Sequence, residues 1–127
     1  MPSQPRVLVA DDDRDLLHAV GVALARLGID VVRVETGGDL IEKMAEEGPF
    51  DLLVTDVAMP WMNGLQAIGA VRTAGLGLPV VVITALDDEK LPAKVAAFGE
   101  RTILLRKPFE LAKLESTVAR LLSEPRS

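Results

Sequence analysis

The chain alternates short apolar runs with longer segments in which apolar residues recur every three or four positions. That alternation is the signature of successive βαβ units built around a parallel sheet. Strands are expected at Arg6–Ala10, Asp30–Val34, Asp51–Thr55, Leu78–Thr84 and Thr102–Arg106. Arg6–Ala10 is continuously apolar after Arg6, as a strand covered on both faces should be. Arg33 makes the second run less apolar, which fits a sheet edge.

Between these runs the spacing predicts helices. Leu16, Leu17, Val20, Leu24 and Leu27 mark one over Arg14–Leu27, stopped by Gly28. His18 falls between those positions and is expected to face water. Leu40, Ile41 and Met44 mark a helix over Thr36–Glu47, ended by Gly48 and Pro49. After a loop at Met59–Gly64, Leu65, Ile68 and Val71 define a third helical face. Pro92 is tolerated only in a first turn, so the helix over Leu91–Phe98 should be short. Leu111, Leu114, Val118 and Leu121 define the last, Glu110–Leu122.

Length and charge narrow the function. A chain of 127 residues fits one domain, able to bury roughly two-thirds of its unfolded surface without covalent staples. With no cysteine it has neither a disulfide framework nor a zinc-thiolate site. A net charge of -5 argues against a direct nucleic-acid groove, which needs clustered Lys and Arg. The first apolar run is too short for a signal-peptide core, and none reaches the 18 or so residues of a membrane span. The expectation is a cytoplasmic domain covering residues 1–127, with flexible ends at 1–5 and 123–127 and no membrane contact.

The strand ends carry the chemistry. The first stops at Asp11 and Asp12, the third at Asp56, the fourth at Thr84 and the fifth at Lys107. In an open doubly wound sheet these are the carboxyl ends, where ligands bind. Strand order 2-1-3-4-5 would make the first and third strands neighbours and bring their three acids together. Carboxylates at close range repel unless a cation neutralises them, and an all-oxygen donor set suits Mg²⁺ or Mn²⁺. One carboxylate can then attack a phosphoryl group, while a Lys ammonium and a hydroxyl hold the transferred oxygens. Lys107 and Thr84 are of the right type at the ends of the right strands.

Val9-Ala10-Asp11-Asp12-Asp13, Asp56-Val57-Ala58-Met59-Pro60, Gly64, Thr84-Ala85 and Lys107-Pro108-Phe109 together resemble the receiver domain of two-component response regulators. The resemblance spans essentially the whole chain. It implies the flavodoxin-like (βα)5 fold, an α/β doubly wound five-stranded parallel sheet. It implies phosphotransfer from a sensor histidine kinase or phosphotransfer protein to Asp56. Asp12 and Asp56 would ligate Mg²⁺ with the Ala58 carbonyl, and Asp11 would help position the ion. Thr84 would be the switch hydroxyl, Lys107 the counter-charge, and Lys107-Pro108 a cis bond. Such a domain is a regulated acceptor that assists its own phosphotransfer and dephosphorylation more than an enzyme. Its output face would combine the helix after the fourth strand, the fifth strand and the last helix. That face would signal to an effector domain or a second copy.

This chain departs from the family at several positions. Leu104 stands three residues before Lys107, where receivers commonly carry the Tyr or Phe that switches with the Thr, and neither Ile103 nor Leu105 is aromatic. The signal is therefore expected to travel through backbone and helix movement. Ala58 and Leu86 are apolar at positions that influence hydrolysis, which points to a comparatively long-lived phosphoryl group. Trp61 is expected to pack over the sheet end. Two other readings compete: a non-phosphorylated pseudo-receiver interaction module, and a haloacid-dehalogenase-type phosphatase. The latter normally places a second Asp where Ala58 stands.

Overall fold

The computed structural model describes residues 4–57, 66, 68–70, 77–85, 89–99 and 101–124. Its strands are β1 (Arg6–Ala10), β2 (Asp30–Val34), β3 (Leu52–Asp56), β4 (Val80–Thr84) and β5 (Thr102–Arg106). All pair in parallel in the order β2-β1-β3-β4-β5, the doubly wound flavodoxin-like sheet. Four helices have described bounds: α1 (Arg14–Ala25), α2 (Gly37–Glu47), α3 (Leu91–Ala96) and α4 (Leu111–Ser123). Helical residues also occur at 66 and 68–70 between β3 and β4.

The continuous apolar runs hide a period of two. Val7 and Val9 point to one core with Leu52, Val54, Val81 and Ile83, while Leu8 and Ala10 point to the other with Leu53, Val80 and Val82. α1 and α4 cover the first core through Leu17, Val20, Leu24, Leu114, Val118 and Leu121. α2, Ile68 and α3 cover the second through Leu40, Leu91 and Val95. Each fully buried Leu or Val contributes about 1.5–3 kcal/mol, so burial on both faces helps to hold the hydrogen-bonded sheet. Ile41 and Met44 are only partly buried against the second core.

Element ends differ from expectation for identifiable reasons. α1 stops at Ala25 because the chain tightens, Leu27 N–H to Leu24 O at 3.0 Å and Gly28 N–H to Ala25 O at 3.0 Å, and Gly28 then adopts φ +81°. Leu27 is consequently 47% exposed and not part of the core stripe. β4 begins at Val80, since Pro79 has no N–H to give the ladder, although its carbonyl accepts Leu53 N–H at 3.0 Å. Asp56 lies inside β3, in register with Ile83. Pro5, expected in a flexible end, is tied by its carbonyl to Asp30 N–H at 2.8 Å. Ser123, also placed in a flexible end, is the last residue of α4, where Leu121 still packs into the core. Lys107-Pro108 is cis, as the resemblance implied, and so is Gly48-Pro49. Among the described residues no helix is long and apolar enough to cross a membrane.

Candidate functional site

The alternation that builds the two cores also builds the site. Continued past Val9, Val54 and Leu105, one side of the sheet yields Asp11, Asp56 and Lys107, and these three side chains meet. Lys107 Nζ donates to Asp56 Oδ2 at 2.8 Å and stands 2.9 Å from Asp11 Oδ2. Its backbone N–H donates to Thr84 O at 2.6 Å, which extends the β4–β5 ladder to the residue that needs aiming.

The run of three acids after β1 is divided among three tasks. Asp11 is fully buried, its N–H held by Val34 O at 3.1 Å and its Oδ1 accepting from Asp13 N–H at 2.9 Å. Asp12 is exposed, with a carboxylate oxygen in the cluster formed with Asp11 and Asp56, all within 4.8 Å of one another. Asp13 caps α1, accepting from Asp15 N–H at 3.1 Å and Leu16 N–H at 3.2 Å. Reading the sequence missed this cap, although an Asp just before a helical period is its usual signal.

Electrostatics follow from burial. Desolvation pushes the Asp11 carboxyl above the ordinary Asp value, against the Asp13 N–H and the Lys107 ammonium, which pull it down. Burial would lower the Lys107 ammonium, but its hydrogen bond to Asp56 and its ion pair with Asp11 outweigh that and hold it above the ordinary Lys value. Among the described residues Asp11 Oδ2 receives no directed hydrogen bond; Lys107 meets it at ion-pair distance. A buried carboxylate oxygen without a directed donor, beside two more carboxylates and a single ammonium, fits a hard divalent cation.

Thr84 is fully buried at the end of β4 and faces Arg106 in register. Leu104 is half-buried against the core that contains Leu91 and Val95. Ala58, Trp61 and Leu86 lie outside the described residues. A groove of about 430 Å³ opens elsewhere, between α1, β2 and α2, lined by Arg14, His18, Arg33, Glu35 and Lys43 among others. Its mixed charges pair locally, Arg14 with Glu35 at 2.6 Å and Lys43 with Glu47, so the acids at the strand ends remain the better site. His18 is exposed there, as expected.

Residues 7–119 match the profile of the family described as response regulator receiver domain. The chain belongs to that family. The receiver is 34% identical over 120 residues to the DNA-binding transcriptional regulator NtrC of Rhizobium meliloti, covering 94% of this chain and 24% of the relative. It is 32% identical over 122 residues to the transcriptional regulatory protein PrrA of Mycobacterium tuberculosis, covering 94% of this chain and 51% of the relative. The receiver thus spans a quarter to a half of the length of these relatives. Among solved structures, the chemotaxis response regulator CheY4 of Vibrio cholerae superposes with a TM-score of 0.84 at 27% identity, over 94% of this chain and 99% of that one.

Proposed function

We propose that residues 1–127 form one receiver domain that accepts a phosphoryl group on Asp56 from a sensor histidine kinase or phosphotransfer protein. The observation that carries this reading is the Asp56 carboxylate held by Lys107 at 2.8 Å beside Asp11 and Asp12, at the carboxyl end of a doubly wound sheet. A carboxylate in that setting has a neighbour for each charge that transfer creates.

Asp11, Asp12 and Asp56 would hold Mg²⁺ or Mn²⁺, with the Ala58 carbonyl as a further ligand. Such an ion supplies charge neutralisation for the incoming phosphoryl oxygens. Transfer forms a bond between an Asp56 oxygen and phosphorus as the bond to the donor nitrogen breaks, and the donor imidazole leaves with the electron pair. Lys107 follows the new charge, the Thr84 hydroxyl donates to a phosphoryl oxygen, and Asp11 keeps the acidic cluster aligned through its bond from Asp13 N–H. The added group carries about 1.5 to 2 negative charges, enough to bias the surface formed by α3, β5 and α4. Downstream partners are an effector domain or a second copy. The chain itself makes no direct contact with nucleic acid or membrane, and it acts in the cytoplasm.

Intact-mass spectrometry after treatment with acetyl phosphate and Mg²⁺ tests this reading. One added phosphoryl group on the wild type, absent from Asp56→Asn, is expected. No adduct on either protein would favour an inert interaction module, and steady release of phosphate from simple esters would favour a phosphatase.

A further inference from the structure

The sheet sorts its strand-end residues by side, and one charged residue falls on the side that the acidic cluster does not use. Asp11, Asp56 and Lys107 continue the alternation of the core under α1 and α4. Thr84 continues that of Val80 and Val82, and Leu104 packs in the same opposite core, under α2 and α3. Arg106 is the next residue on that side of β5 and pairs in register with Thr84. Strands lie about 4.8 Å apart, so its stem starts next to the Thr84 hydroxyl. Arg106 is exposed and takes part in an interaction in this state.

Leu104 is half-buried, packed against the core that holds Leu91 and Val95, and has no polar atom with which to answer a new charge. Arg106 has five donors in a planar fork that matches phosphoryl oxygens two at a time. α3 packs directly on β5, so displacement of the β5 end is transmitted to it.

We propose that Arg106 is the positioning residue through which a phosphoryl group on Asp56 reaches α3. The guanidinium turns toward the added charge beside Thr84 and shifts the β5 end against α3. This rests on the phosphoacceptor reading above and adds to it the route by which the event moves outward. The two arrangements of one side chain, one for each charge state, provide a two-state element without any aromatic group.

The test compares wild type, Arg106→Gln and Arg106→Lys with acetyl phosphate and Mg²⁺, scoring the phosphorylated fraction by intact mass. Amide chemical-shift changes across Leu91–Ala96 on phosphorylation provide the second readout, and the unphosphorylated spectra verify folding. Arg106→Gln is expected to take one phosphoryl group as wild type does while its shift changes at α3 fall by more than half. Arg106→Lys should recover part of them. In about 1 M salt, where the Debye length is about 3 Å, the wild-type response should move toward that of Arg106→Gln, which a purely steric role would not produce. Full-sized changes in Arg106→Gln would overturn the proposal and leave the phosphoacceptor reading standing. Loss of phosphorylation in that variant would place Arg106 in the transfer step and overturn the positioning role. Absence of an adduct on the wild type would overturn both.

Discussion

Arg6, at the amino end of β1, and Lys107, just beyond the carboxyl end of β5, are both cations withdrawn from solvent and set against carboxylates, yet their surroundings differ in kind. Arg6 meets Asp30 at 3.2 Å, donates to the carbonyls of Glu47 and Pro49, and lies 4.7 Å from the centre of the Phe50 ring. Arg101, just before β5, does the same for α4, donating to Leu121 O at 3.2 Å and standing 3.9 Å from Glu124. At that end each cation binds the final carbonyls of a helix and fixes it to the sheet. At the other end, among the described residues, one ammonium is shared by two carboxylates, and a buried carboxylate oxygen has no directed donor. At the first end cations fix helix ends to the sheet, although Arg101 Nε itself has no directed hydrogen bond among the described residues. At the second, one ammonium faces a cluster of three carboxylates, which leaves negative charge to be answered from outside.

Substitutions at the two ends should therefore separate cleanly. Lys107→Ala is expected to slow phosphorylation by acetyl phosphate by about 100-fold, the scale of losing one charged donor at a reacting group, measured by intact mass over time. Arg6→Ala should leave that rate unchanged and lower unfolding stability by about 1–3 kcal/mol in urea, because carbonyls and a carboxylate lose their donor together. Equal effects of the two variants on rate would break the distinction.

Alkaline titration sharpens it. Lys107 sits above its ordinary value, so its contribution is complete below the unfolded Lys pKa of about 10.4 and is lost as pH rises through the folded value. The stability gap between wild type and Lys107→Ala should shrink across that window, whereas the gap for Arg6→Ala should not, since guanidinium does not titrate there. Asp11 works in the opposite sense. Its folded pKa is raised, so its ionised form opposes folding above that value, and the penalty disappears below about 3.9. Asp11→Asn should raise the melting temperature in chelator at neutral pH, lose that advantage in acid, and weaken Mg²⁺ binding followed by Trp61 fluorescence. The smallest effect is expected for Ala58→Asn, which should shift the decay of the phosphoryl group by a few-fold after donor removal; an unchanged decay would remove Ala58 from hydrolysis control.

How much of this was legible beforehand depends on what each residue contacts. The central strands were readable because a parallel sheet buried on both faces demands apolar runs, as in β1, β3 and β4. The edge strands β2 and β5 were bounded by their polar ends, Asp30, Thr102 and Arg106; the expected bounds of β1, β2 and β5 match end to end. Asp56 and Lys107 were readable because a strand's end locates its next side chain. Leu27 misled because it continued the helical period, while the turn at Gly28 withdrew it from the core. The clamps at Arg6 and Arg101 were not readable, since their partners are carbonyls at the far ends of helices and carry no residue-type signal. The placement of Arg106 beside Thr84 needed the register, which no single strand contains.

The turn that follows β1 joins two things usually considered apart. Asp11 Oδ1 is held by the N–H of Asp13, and Asp13 Oδ1 by the N–H groups of Asp15 and Leu16. The acidic cluster and the first turn of α1 are thus links of one short chain with no slack between them. A displacement of the front of that helix therefore pulls on the carboxylate behind it, so the placement of α1 and the setting of Asp11 share a single mechanical coordinate.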